Sequence, residues 1–193
     1  LTLLVTELPT GYYPCAGVPW FCVPFGRDGI FTALQTLWMH PEIARGVLRF
    51  LAVSQADSLD PWSAAEPGKI LHERRRGEMA DLSEVPYGTY YGAADGTMLF
   101  LILLSRYVRV TGDLDLAREL RDHVERALSW MDNYGDSDGD GFFDYQVRDE
   151  AGLIHQGWKD ADDAITMKDG RTTDPPWALC ELQGYAWAAW KET

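Results

Sequence analysis

The chain has 193 residues, with 17 basic and 30 acidic side chains and a formal net charge of −13 at pH 7. At about 150 residues per domain, this length predicts a single domain with a sizeable core. The acidic balance argues against nucleic-acid binding, which needs a basic surface to neutralise phosphates, and against docking on an anionic membrane.

Residues 1–26 contain four of the ten prolines and show no helical period, so we expect a short strand at residues 1–5 followed by entrance loops. No basic segment precedes the apolar start, which is untypical of a signal peptide. The apolar run at residues 98–104 is too short to span a bilayer. The three cysteines match no zinc spacing, and we expect reduced thiols and a cytoplasmic location.

Helical periodicity then dominates the chain. Five helices are predicted: from Arg27, from Pro41, over residues 93–110, after the 111–115 turn, and from Pro176. Residues 57–90 form a long polar loop, and loops of such length are usually functional or disordered. Residues 142–147 and 152–155 are expected to pair as a small hairpin. The predicted class is therefore all-α, with helix pairs, long loops and one small β-hairpin.

The densest polar segment is His155–Asp163, in which three carboxylates surround a tryptophan and a glycine. A carboxylic acid beside an indole can be desolvated and kept protonated, as a general acid requires. Asp160, two residues after Trp158, is the candidate. The alternative is an acidic loop that caps a helix, and spacing alone favours this alternative.

Two further segments with charged residues are candidate binding sites, at residues 27–28 and at residues 66–78. Arg27 and Asp28, at a predicted helix start, could bind vicinal hydroxyls or pair with each other as a cap. The basic cluster within residues 66–78 is interleaved with acidic residues and lacks the glycine spacing of a phosphate cradle. A solvated polar loop is the favoured interpretation there.

Residues 136–144 follow part of the EF-hand pattern. Asp136, Asp138, Asp140 and Asp144 occupy loop positions 1, 3, 5 and 9, but Val147 stands where the bidentate glutamate belongs. The segment is therefore no true EF-hand. It could still hold a structural calcium ion, although an Asx-stabilised turn is the favoured alternative. Serine-hydrolase, cysteine-protease and zinc motifs are absent from the sequence.

Several short motifs occur in a specific order along residues 10–190. They are VPWF at 18–21, PFGRDGI at 24–30, EPGKILHE at 66–73, YYG at 90–92, DSDGDG at 136–141, QGWKD at 156–160 and LCELQGY at 179–185. By these motifs the chain resembles the amylo-α-1,6-glucosidase domain of glycogen-debranching-type glycoside hydrolases. The resemblance implies an (α/α)6 toroid, a sugar site at one end of its inner helices, and inverting hydrolysis of α-glucosidic bonds.

The resemblance also implies roles for particular residues. Asp160 matches the general acid, which protonates the leaving oxygen while a second carboxylate activates water. The implied substrate-binding residues are Trp20, Arg27, Asp28, His72, Glu73, Tyr91, Asp95, Trp158 and Glu181. No cofactor is required, apart from the structural calcium considered above.

In the family, the base carboxylate lies well downstream, in the second half of the toroid. This chain has about five predicted helices against twelve, so residues 1–193 resemble the first half of the domain, with entrance loops at 1–26 and helical pairs at 27–193. The expected partners are a glucoside or oligosaccharide and either the missing half of the domain or a second copy. The alternatives are a non-catalytic carbohydrate-binding or helical scaffold module and a calcium-dependent structural domain.

Overall fold

The computed structural model describes residues 3–147, 149 and 151–193. Within these residues it contains one antiparallel hairpin and seven helices. The hairpin strands are β1 (Val5–Leu8) and β2 (Gly11–Pro14). The helices are α1 (Gly26–Thr36), α2 (Pro41–Val53), α3 (Glu78–Asp81), α4 (Gly96–Thr111), α5 (Leu114–Glu119), α6 (Arg121–Tyr134) and α7 (Cys180–Glu192).

Helix α4 forms the centre of the core. Its first nine residues, Gly96 to Leu104, are all buried, because apolar side chains occupy every face of this segment. Helices α1, α2, α6 and α7 all pack against it. The fold is thus built around one buried helix, whose N-terminal end lies beside the charged cluster described below.

Helix α2 begins at Pro41, the N1 position where the missing N–H of proline costs nothing. It packs on α1 and α4, and it also contacts strand β2. A Cβ atom added at Gly46 would lie 2.2 Å from the carbonyl oxygen of Tyr12. Only glycine therefore allows the hairpin to approach this helix so closely.

The helix predicted after the 111–115 turn is divided into α5 and α6 at Leu120, which leaves the helical conformation. Asp113, within the predicted 111–115 turn, caps α5, since its carboxylate accepts a hydrogen bond from the N–H of Leu116 at 3.1 Å. The hydroxyl of Tyr107 donates to the same carboxylate at 2.9 Å. The cap therefore ties the end of α4 to the start of α5.

The β-hairpin lies at residues 5–14 and not at residues 142–155, so this prediction is wrong in position. The described backbone of the predicted hairpin bonds with other segments. The N–H of Asp144 donates to the carbonyl of Gly135 at 2.8 Å, and the backbones of Tyr145 and Trp177 exchange two hydrogen bonds. Arg148 and Glu150 lie outside the described residues. The predicted strand at 1–5 is instead Val5–Leu8, with residues 1 and 2 outside the described part.

Two predicted helix starts also shift. Helix α7 begins at Cys180, because the backbone of Trp177 pairs with Tyr145. Helix α4 begins at Gly96, since the N–H of Ala94 donates to Gln156 at 2.8 Å. The mainly helical class with one small hairpin is confirmed, whereas the toroidal arrangement stays a prediction. Among the described residues, no helix is long and apolar enough to cross a membrane.

Candidate functional site

Three loop segments lie side by side at the start of α1. Glu73 forms backbone bridges with both Phe25 and Tyr90, and the N–H of Gly26 donates to the carbonyl of His72 at 2.7 Å. A Cβ atom at Gly26 would lie only 2.0 Å from the nearest backbone carbonyl oxygen. This close backbone packing fixes the first turn of α1 against the long loop.

Arg27 is the centre of the site. Its guanidinium forms a bidentate pair with Asp95, with Nε–Oδ2 at 2.6 Å and Nη2–Oδ1 at 3.2 Å. The exposed fractions of the two side chains are only 5% and 1%. Burial raises the pKa of Asp95, and the Arg27 charge opposes this rise. The pair joins α1 to the N-terminus of α4 inside the protein.

The loop that contains Asp160 meets the same guanidinium from the solvent side. Nη1 of Arg27 lies 3.8 Å from Oδ2 of Asp160, whose side chain is 49% exposed. The Trp158 ring lies 5.9 Å from Cζ of Arg27 and 5.6 Å edge-on from the ring of Phe31. Trp158 is 60% exposed. Arg27 therefore holds an accessible carboxylate and an accessible indole next to each other.

Two more carboxylates approach this group. Glu73 is buried and pairs with Arg75; burial raises the pKa of Glu73, and the charges of Asp160 and Asp28 raise it further, against the effect of Arg75. Asp28 is exposed at the surface, but partial desolvation of its carboxyl group raises its pKa. The charge of Arg27 opposes this rise, and the charge of Asp160 adds to it. We define the Arg27 cluster as Arg27, Asp28, Glu73, Asp95, Trp158 and Asp160.

His72 lies behind the cluster and is buried. Its ring packs edge-on against Phe25 at 5.6 Å and Tyr90 at 6.0 Å. Burial lowers the pKa of His72 to about 3, helped by the charges of Arg27 and nearby cations, so the imidazole is neutral at pH 7. Among the described residues, Nδ1 finds no hydrogen-bond partner. His72 therefore contributes a neutral ring to the wall of the site.

Glu181 lies at the edge of the cluster, in the first turn of α7. A Cβ atom at Gly157 would lie 3.9 Å from Oε1 of Glu181, so this carboxylate flanks the Trp158–Asp160 loop. Its charge contributes to the raised pKa of Asp95, after the larger effect of burial. Glu181 therefore borders the same acidic region without pairing with Arg27.

Two predicted binding residues lie apart from the cluster. The Tyr91 hydroxyl donates to the carbonyl oxygen of Ser54 at 2.8 Å, at the C-terminus of α2, and the ring is buried in the core. Trp20 is 83% exposed, in a turn closed by two backbone hydrogen bonds between Gly17 and Phe21. Among the described residues, neither side chain forms a hydrogen bond, ion pair or ring contact with the Arg27 cluster.

Sequence reasoning missed three residues around the site. Arg75 pairs with Glu73 and has its guanidinium carbon 5.3 Å from the Tyr87 ring and 6.0 Å from the Phe21 ring. Phe31 supports Trp158. Phe31 follows Arg27 by four residues, so helical spacing alone could have placed it on the same face. Arg75 lies in irregular backbone and Tyr87 in a single 3-10 turn at Pro86–Gly88, so no sequence period predicts their contact.

Three of the four predicted calcium ligands lie close together. Asp136, Asp138 and Asp144 each offer one oxygen, and these atoms lie within 4.8 Å of one another. Asp140 instead accepts a hydrogen bond from the N–H of Phe142 at 2.9 Å. Asp136 also accepts from backbone N–H groups in the loop, as an Asx-stabilised turn does. Three clustered carboxylates are suitable donors for a hard cation such as calcium.

Comparison with models of known protein families gives no match for this chain, and no curated protein matches it either.

Proposed function

We propose that the chain carries the acid side of a glycoside hydrolase site for α-glucosidic linkages, of the debranching α-1,6-glucosidase type. The observation that carries the proposal is the placement of Asp160. It is an accessible carboxylate beside the accessible Trp158 ring, and Arg27 holds both. A neutral sugar can stack on such a ring while its glycosidic oxygen meets the carboxyl group.

The charge balance supports this chemistry. Two guanidinium groups, Arg27 and Arg75, face four carboxylates, those of Asp28, Glu73, Asp95 and Asp160. The Nε and Nη2 atoms of Arg27 are used by Asp95, which leaves only Nη1 toward Asp160. Burial, with the charge of Asp160 adding to it, raises the pKa of Asp28 and of Glu73, so proton retention is favoured at these two carboxyl groups. The surplus of negative charge also favours the oxocarbenium-like transition state of glycoside hydrolysis.

The remaining residues have supporting roles in this proposal. Asp28 retains solvent access and is the carboxylate placed to accept hydrogen bonds from sugar hydroxyls. The Arg27–Asp95 pair is a positioning element, because it connects α1 with α4 beneath the site. His72 supplies a neutral apolar wall behind Glu73.

An inverting mechanism needs a second carboxylate, roughly 6.5–9.5 Å from the acid, to activate water on the other face of the sugar. We propose that this base is supplied either by a second half of the domain or by another copy of the chain. By this proposal, Asp160 donates the proton to the leaving oxygen, and the partner's carboxylate removes one from water.

The test is hydrolysis of isomaltose, an α-1,6-linked glucose disaccharide, by the complete product of the gene. Asp160→Asn is compared with Asp163→Asn, which makes the same change in charge at an exposed position of the same loop. We expect the Asp160 variant to lose about 100- to 10,000-fold in kcat and the Asp163 variant to stay near wild type. Equal activity of both variants would overturn the assignment.

A carbohydrate-binding module is the second candidate, and the large exposed fraction of Trp158 favours it. An exposed indole next to carboxylates binds sugars without catalysis as well. Binding of isomaltose, followed by the fluorescence of the protein, with no glucose released by the complete gene product, would support this candidate. Loss of that binding in Trp158→Ala would place the ligand at the cluster.

We also propose that Asp136, Asp138 and Asp144 hold a structural calcium ion. The support is the approach of their oxygens to within 4.8 Å of one another. An ion there would stabilise the turn between α6 and the following loop and would take no part in the acid–base chemistry.

A further inference from the structure

Two cysteines in the loop before α1 are in direct contact. The Sγ atoms of Cys15 and Cys22 lie 3.6 Å apart, and both residues are free thiols. The chain between them is closed by hydrogen bonds from Gly17 N to Phe21 O at 3.0 Å and from Phe21 N to Gly17 O at 2.9 Å. This closed turn brings the two thiols together although six residues separate them.

The two thiols differ in their surroundings. Cys22 is exposed, whereas Cys15 is half-buried and its N–H donates to the carbonyl of Leu4 at 2.7 Å. Burial, followed by the contact with Cys22, raises the pKa of Cys15 to about 11. Cys22 is therefore the thiol that a reagent in solution reaches first, and Cys15 is positioned to react with whatever forms on Cys22.

We propose that Cys15 and Cys22 form a reversible redox site, which low-molecular-weight disulfides such as glutathione disulfide convert to an intramolecular disulfide. A bonded pair needs its sulfurs about 2.05 Å apart, so the thiols must approach each other by about 1.5 Å, which side-chain rotation can supply. The turn that holds them together already meets the main geometric requirement, a short separation of the two side chains.

The exchange balances in two steps. The Cys22 thiolate attacks one sulfur of glutathione disulfide, its S–S bond breaks, and one glutathione thiolate leaves. Cys15 then loses its proton to solvent and attacks the Cys22 sulfur, which releases the second glutathione. Two protein thiols are oxidised to one disulfide, and one glutathione disulfide is reduced to two glutathione molecules.

The link would act on the loop that contains Trp20 and leads into α1. Just after Cys22, the carbonyl of Pro24 accepts a hydrogen bond from the N–H of Arg74 at 3.1 Å. Oxidation therefore restrains a segment attached to the long loop, and reduction releases it. The observations behind this proposal do not depend on the proposed hydrolase chemistry, because neither cysteine belongs to the Arg27 cluster.

The chain offers a direct test by peptide mass. Trypsin leaves Cys15 and Cys22 together in the peptide 1–27 and leaves Cys180 in the peptide 172–191, since no lysine or arginine lies within either. After incubation with glutathione disulfide, we expect peptide 1–27 to lose two hydrogens. The exposed Cys180 should carry only a glutathione adduct, because it has no neighbouring thiol within the described residues.

Cysteine-to-serine variants distinguish a specific Cys15–Cys22 disulfide from non-specific oxidation. Cys15→Ser should trap glutathione on Cys22 in at least tenfold greater amount than in wild type, whereas Cys180→Ser should leave the internal link unchanged. The oxidised wild type should melt about 5 °C above the reduced protein, and Cys15→Ser should show no such difference. A glutathione adduct that persists on Cys22 in the folded wild type, or a link that forms only in denaturant, would overturn the proposal.

Discussion

Replacing Asp95 with asparagine tests the buried pair beneath the site. The change keeps the side-chain shape but leaves the Arg27 guanidinium, only 5% exposed, without its main counter-charge. Removing one partner of a buried ion pair costs about 3–5 kcal/mol. Asp160, at 3.8 Å, compensates in part, so we expect a loss of about 3 kcal/mol in the free energy of unfolding. For this length, the melting temperature should fall by about 6–12 °C.

The matched control is Asp115→Asn, which breaks an exposed pair with Arg118. Its melting temperature should stay within about 2 °C of wild type, because surface pairs contribute little. Urea unfolding of both variants, followed by tryptophan fluorescence and circular dichroism, gives the comparison. If Asp95→Asn were as stable as Asp115→Asn, the Arg27–Asp95 pair would not be the buried, bidentate contact that positions the site.

Three further predictions concern stability. The pKa of His72 is about 6.5 in the unfolded chain and about 3 in the folded protein, so the unfolded chain binds one more proton between these pH values. As the pH falls below 6.5, the free energy of unfolding of the wild type should therefore decrease by about 1.4 kcal/mol per pH unit more than that of His72→Gln. Urea titrations at pH 6 and pH 5 measure this difference. Gly46→Ala should destabilise the protein strongly, because the added Cβ would collide with the Tyr12 backbone. Gly184→Ala, whose Cβ would lie in open space on α7, should stabilise it by about 0.5–1 kcal/mol. Thermal melts of both variants test these two expectations. Calcium at 100 times its Kd should raise the free energy of unfolding of the wild type by about 2.7 kcal/mol and that of Asp138→Asn by much less. Equal melting midpoints of the wild type with calcium and with chelator would contradict a bound ion.

Local signals in the sequence predicted some of the helix starts. Pro41 at N1 and the turn at 111–115 indicated the starts of α2 and α5, because both signals depend on residues next to the helix end. The helical period over residues 93–110 likewise predicted helix α4. These features need no knowledge of the rest of the chain.

Long-range pairing could not be predicted in the same way. The backbone of Tyr145 pairs with Trp177, and this competing partner removed the expected hairpin at 142–155. Nothing local indicates that Arg27 meets Asp95, 68 residues later, or that Arg75 neutralises part of Glu73. The motif order pointed to Asp160, Trp158 and Arg27 separately, and the tertiary contacts bring them together.

The most direct test of the central claim compares two substrates of the complete gene product. Isomaltose needs its leaving oxygen protonated, whereas α-glucosyl fluoride has a leaving group that departs with little help from an acid. If Asp160 is the general acid, Asp160→Asn should lose isomaltose hydrolysis by about 100-fold or more while keeping most of its activity on the fluoride. Equal losses on both substrates, or no loss on either, would contradict the assignment of Asp160 as the acid.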